Sequence, residues 1–146
     1  MTTHGPALFE HSPWVEARAD ARPSSGDRHA DLMAVVRDAT DAERLALIRA
    51  HPELAEKVQL TDASAAEQAS AGLDRLGPEE YARFHALNAT YRERFGFPFI
   101  ICVRLADKAG ILAAMEARLA NTREREIDAA VDEIGKIVRL RLEDAR

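Results

Sequence analysis

The sequence predicts an all-α fold, a single compact domain over residues 1–146, built from about seven to nine helices. Three observations carry that expectation. Residues that start and stop helices recur along the whole chain, and apolar residues recur at spacings of three and four. Sustained alternation of period two, the mark of a half-buried sheet, is nowhere evident. A chain of 146 residues also suits one core, since folding at that size buries roughly 68–70% of the surface of the unfolded chain.

Each element follows from local chemistry. Ser12-Pro13 offers an N-cap and then a proline at the first helical position, opening a run to about Arg22. Pro23-Ser24-Ser25-Gly26 breaks it. Leu32, Val35 and Val36 give the next run a short apolar stripe. Thr40 and Glu43 form a capping box for a helix carrying Leu45, Leu47 and Ile48. Pro52 ends that helix, because the residue before a proline is biased out of the helical region. Ser64 and Glu67 make a second capping box. Gly77-Pro78 restarts the chain for a long helix on which Tyr81, Phe84, Leu87 and Tyr91 share a face, and Gly96 stands where a helix-ending glycine belongs. Lys108–Ala120 reads as helix, and Asn121 with Glu124 caps a last one through Ile127, Val131, Ile134, Val138 and Leu142.

One stretch departs from this pattern. Propensity makes Phe99–Val103 a buried strand, yet no other strand exists to pair with it. Its main-chain N–H and C=O groups must then find other partners, a bound polar ligand among them, unless the segment begins a buried helix.

Composition narrows the function. Hydrophobic residues are 47% and charged ones 31%, an ordinary globular balance. The formal charge of −5 speaks against nucleic acid, whose phosphates call for a basic surface. No apolar run approaches the ~20 residues that span a bilayer, so no membrane partner is expected. The first residues lack a basic segment followed by an apolar one, and the last match no peroxisomal or retention tail, so a cytoplasmic protein is expected. A single cysteine, Cys102, excludes an intramolecular disulfide and any multi-cysteine zinc site. None of the five histidines falls in a metal-ligand spacing, so no metal is expected, and no phosphate-binding or dinucleotide-binding glycine motif is present.

Among those histidines, His51 is held between a helix end and Pro52, which can open the next helix. Such a residue has a restricted backbone and can present its ring to a cleft. The helix C-terminus before it favours the imidazolium and an N-terminus after it the neutral ring, so its charge stays open. Glu67 reads either as the cap of its own helix or, with Ser64 and Gln68 nearby, as part of a polar site at the helix N-terminus. Cys102 lies in an apolar run where a thiol is inert. Arg139 and Arg141 are two apart on a helix, so at most one looks inward, and Arg104 follows the apolar segment.

Taken together, these segments resemble one family. Phe9-Glu10-His11-Ser12-Pro13-Trp14-Val15, His51-Pro52-Glu53-Leu54-Ala55, Ser64–Leu73, Leu87-Asn88-Ala89-Thr90-Tyr91, Arg94–Ile100 and Arg139-Leu140-Arg141-Leu142 are similar to 2-oxo-4-hydroxy-4-carboxy-5-ureidoimidazoline (OHCU) decarboxylases, over nearly the whole chain. The resemblance implies an all-α homodimer with no metal or organic cofactor, acting on a small ureidoimidazoline to make (S)-allantoin in urate catabolism. It implies His51 as the acid/base and Glu67 as its catalytic companion. Pro52, Ser64, Ala65, Ala66 and Gln68 would contact substrate, as would Phe99, Ile100, Ile101, Cys102 and Val103, largely through backbone. An arginine near the C-terminus would bind there too, Arg141 best, with Arg139 possible. Glu53 stands where the family commonly has Asp, and the stretch from Lys57 to Asp62 is compact. The competing expectations are a hydrolase of a related ureido ring and a non-catalytic helical interaction module.

Overall fold

The computed structural model describes residues 8–9, 11–55 and 62–145. Among them seven α-helices and one 3-10 turn follow one another without a strand: α1 (Trp14–Asp20), α2 (Arg28–Asp38), α3 (Asp41–Arg49), α4 (Asp62–Ser70), α5 (Pro78–Phe95), the 3-10 turn (Val103–Leu105), α6 (Lys108–Arg118) and α7 (Arg123–Asp144). Of the compact stretch that ends at Asp62, residues 57–61 lie outside the described residues.

Capping explains most boundaries. Thr40 accepts from the Glu43 N–H at 3.1 Å and Glu43 accepts from the Thr40 N–H at 3.0 Å, the reciprocal box expected at the head of α3. Pro78 occupies the first turn of α5, where a missing N–H costs nothing. Gly96 ends α5 at φ 83°, a left-handed position that suits a residue without Cβ.

Four local expectations are corrected. Pro13, not Ser12, occupies the N-cap position of α1. Thr122 caps α7 by accepting from the Arg125 N–H at 3.2 Å, while Asn121 turns inward to Glu126. Ser64 and Glu67 form no capping box, because α4 is already helical at Asp62 and both side chains face Arg141. No helix starts at Pro52, since the chain runs from it into a turn at Leu54-Ala55.

α7 organises the interior. Ala130, Val131, Ile134, Ile137, Val138 and Arg141 recur at helical spacing on its buried face, which packs on α2 and α3. At Gly135 a Cβ would sit 3.3 Å from Met33 Cε, so the bare backbone lets α2 come close. On α5, Tyr91 is fully buried against Phe95, Phe97 and Phe99, with ring centroids 4.6, 6.0 and 5.3 Å away. Burying each such ring contributes about 1.5–3 kcal/mol.

Candidate active site

A hollow opens where the end of α3, the middle of α4, the segment after α5 and the face of α7 meet. It holds about 420 Å³ counting its open mouth, and is lined by His51, Pro52, Leu54, Ser64, Glu67, Gln68, residues 99–104 and Ile137.

His51 is only 7% exposed. Its Nδ1 lies 3.0 Å from the Leu47 carbonyl, one turn back on α3. A carbonyl only accepts, so Nδ1 carries the proton and, in the neutral ring, Nε2 carries the lone pair. The last turn of α3 thus fixes both the ring and its tautomer. With no helix starting at Pro52 among the described residues, of the two helix ends expected at His51 only the α3 C-terminus is present.

Glu67 reaches the same hollow from α4, with Arg141 behind it. Arg141 Nε donates to Glu67 Oε2 at 3.0 Å and Nη2 to Oε1 at 2.8 Å, a two-pronged grip on a carboxylate. The same guanidinium reaches the Leu8 carbonyl at 3.3 Å and Ser64 Oγ at 3.4 Å. Arg141 is 3% exposed and does not line the hollow. Arg139, two residues away, lies at the surface with Nη2 3.2 Å from His29 Nδ1. Arg104 does line the hollow, and both its terminal nitrogens are engaged by Asp144, at 2.6 and 3.2 Å.

The segment 99–103 is neither a paired strand nor the start of a buried helix. It is irregular chain, extended at Cys102, that runs into the 3-10 turn at Val103, and side chains take the place of a neighbouring strand. Arg118 donates to the Ile100 carbonyl at 2.7 Å, and Glu133 accepts from the Cys102 N–H at 2.9 Å. Upstream, Arg49 and Arg123 donate to the carbonyls of Gly96 and Phe95, each at 3.1 Å. Across a planar trans peptide the C=O and N–H point opposite ways. The Ile101 N–H therefore faces away from Arg118, and the Ile101 carbonyl away from Glu133. Arg118 is itself held by Glu126, which is wholly buried and also binds Tyr91 Oη and Asn121.

Of the residues singled out by sequence, His51, Pro52, Ser64, Glu67, Gln68, Phe99, Ile100, Ile101, Cys102 and Val103 come together at the hollow. Ala65 and Ala66 do not: both are exposed on the far side of α4. Burial, reinforced by the charge of Glu133, pushes the Cys102 thiol up, so little thiolate is present to attack a substrate. Sequence reasoning missed Arg118, Glu133 and Asn88. Asn88 had a signal, because it falls on the apolar face of α5, four residues after Phe84 and three before Tyr91.

Comparison with known proteins agrees with this architecture. A family model described as OHCU decarboxylase matches residues 5–143. A 2-oxo-4-hydroxy-4-carboxy-5-ureidoimidazoline decarboxylase of Haloferax volcanii is 46% identical over 138 residues, 92% of this chain and 82% of that protein. The uric acid degradation bifunctional protein PucL of Bacillus subtilis is 43% identical over 94% of this chain, which matches 28% of that longer protein. A crystal structure of (S)-allantoin synthase superposes with a TM-score of 0.71 at 31% identity, covering 95% of this chain and 47% of that one. The match runs through α3, α4 and α7, the helices that bring His51, Glu67 and Arg141 together, and the chain belongs to the OHCU decarboxylase family.

Proposed function

We propose that the protein decarboxylates 2-oxo-4-hydroxy-4-carboxy-5-ureidoimidazoline to (S)-allantoin in urate catabolism, with His51 and Glu67 as its catalytic pair. The observation that carries this reading is their convergence. Sixteen residues apart and on different elements, they line one hollow together with residues 99–104.

The substrate bears a carboxylate and a hydroxyl on one ring carbon, beside a C=N bond. As the bond to the carboxylate breaks, its electron pair moves into that C=N, so the ring is its own electron sink. The resulting enol loses its hydroxyl proton, and the neighbouring carbon gains one, giving the ketone form of the product. The ring nitrogen that received the electron pair takes up a proton as well, so one proton is consumed overall as CO2 departs. What remains for the protein is orientation and proton transfer.

The Nε2 lone pair of His51, set by the Leu47 carbonyl, receives the hydroxyl proton and returns one to carbon. Glu67 accepts a hydrogen bond from a substrate N–H and so turns the hydroxyl proton toward the His51 ring. Arg141 acts through Glu67, holding its carboxylate in one orientation. The donor half of Gln68 and the N–H of Ile101 meet the ring oxygens and nitrogens where charge builds. Pro52 and Phe99 close the apolar walls. The site works in a homodimer, as family resemblance implies, and in the cytoplasm, as the sequence leads us to expect; light scattering and cell fractionation check the two points.

The test is His51→Asn, assayed on freshly made uricase product by CO2 release and by the optical activity of the allantoin formed. Turnover should fall about 10²–10⁴-fold with the helical circular dichroism unchanged. Near-normal turnover would end the proposal.

A further inference from the structure

We infer that Asn88, outside the hollow and 5% exposed on α5, is a positioning residue that sets His51 against Glu67. This rests on the catalytic reading of those two side chains.

The chain leaves α3 through His51-Pro52-Glu53-Leu54-Ala55, and Ala55 adopts φ 60°, the left-handed region. A side-chain-bearing residue is held there at a cost of roughly 1–2 kcal/mol, so something must restrain the turn. The restraint is a pair of amides on one peptide bond. Asn88 Nδ2 donates to the Leu54 carbonyl at 2.8 Å. On the other edge of that same peptide, the Ala55 N–H donates to Gln68 Oε1 at 3.0 Å. One turn further along α5, Arg92 pairs with Glu53. Gln68 is the neighbour of Glu67, so the clamp ties the chain that follows His51 to the helix that carries Glu67.

The energetics of Asn88 point the same way. Its Oδ1 is buried with no hydrogen-bond partner among the described residues, an arrangement that costs stability. An apolar side chain would fill this place on the buried face of α5 at lower cost. Asn88 contributes a donor aimed at Leu54, and that donor shapes the turn beside the site.

The experiment compares Asn88→Ala, Ala55→Gly and the double variant with the full-length wild-type protein. Each is checked for helical circular dichroism and melting, then assayed for kcat and KM on fresh uricase product. Losing the clamp lets Ala55 relax out of the left-handed region, so Asn88→Ala should lower kcat about tenfold with KM within about threefold. Glycine adopts that backbone freely, so Ala55→Gly alone should leave kcat unchanged and, added to Asn88→Ala, should restore most of the loss. A folded Asn88→Ala with wild-type kcat overturns the inference, and so does a loss that Ala55→Gly does not repair. If Asn88→Ala fails to fold, Asn88→Leu, which fills the place without a donor, is carried through the same pair of assays with the same criteria. His51→Asn, run alongside, separates the two readings. Wild-type turnover there removes the catalytic pair itself, whereas an inactive His51→Asn beside a fully active Asn88→Ala removes only the clamp.

Discussion

Replacing Arg141 by methionine isolates what the buried ion pair does. The side chains of Arg141 and Glu67 are 3% and 11% exposed and meet through two hydrogen bonds of 3.0 and 2.8 Å. Methionine keeps the length and removes the charge, leaving the Glu67 carboxylate in the interior without its counter-ion. Breaking a buried pair from one side costs about 3–5 kcal/mol. In a domain of this size each kcal/mol moves the melting temperature by about 2–4 °C, so the single variant should melt roughly 6–20 °C lower. Adding Glu67→Leu removes the stranded charge, and apolar replacement of a whole buried pair is often neutral or stabilising. The double variant should therefore recover most of the loss while turnover stays at least about a hundredfold down, as expected when an orienting group is missing. Thermal melts followed at the helical band, with CO2 release on fresh substrate, read both quantities. A single variant melting within about 2 °C of wild type, or a double variant no more stable than the single one, would refute the claim that the pair is a closed, desolvated unit.

Two further outcomes follow from the chemistry of individual groups. Cys102→Ala should keep turnover within about twofold, because the buried thiol serves as packing; an inactive, folded variant would mean that the thiol takes part. The N-terminal cap of α3 should weaken in acid. Arg18 and the Thr40 N–H hold the Glu43 carboxyl down to about 2, from an ordinary value of 4.5. A carboxyl lowered on folding stabilises the protein above its unfolded value, and that contribution is lost as pH falls through the folded one. Carboxyl-carbon NMR should place the Glu43 midpoint near 2, whereas a midpoint near 4.5 would show that the pair with Arg18 does not persist in solution.

The helices were legible because their signals are local. The Thr40–Glu43 box, the Gly77-Pro78 start and the Gly96 stop each depend on residues within one turn. The apolar face of α7 depends on a period the sequence displays directly. What stayed hidden depends on long-range partners. Phe95, Phe97 and Phe99 all meet Tyr91, but Phe95 ends α5 and Phe99 lies in irregular chain, so the strand propensity of residues 99–103 is not realised. That arginines from α3, α6 and α7 would supply the missing hydrogen bonds cannot be seen in any window around residue 99. The Ser64–Glu67 spacing misled for a related reason. The same three-residue separation that builds a capping box also places two side chains on one face of a helix interior, and Arg141, 74 residues beyond Glu67, decides between them. The residue-level expectations for His51 and Glu67 came from resemblance; spacing alone left both open.

The placement of polar groups in the interior shows why these residues are tolerated there. Among the described residues, eight polar or charged ones are buried: Ser12, His51, Ser64, Glu67, Gln68, Asn88, Glu126 and Arg141. Four of them line the hollow, and Arg141 grips one of those four. Asn88 holds the turn beside His51, and Glu126 holds the arginine that fixes the Ile100 carbonyl. Seven of the eight thus lie within two contacts of one small space. Buried polar groups gain little net stability even when satisfied and lose more when they are not. A chain selected for stability alone would scatter few of them and replace the rest with aliphatic side chains. Here the cost is concentrated around a single hollow and offset by the apolar faces of α2, α5 and α7. That concentration ties the expense to chemistry performed in the hollow, and implies that apolar replacement of the Glu67–Arg141 pair as a whole, or of Asn88, trades activity for stability.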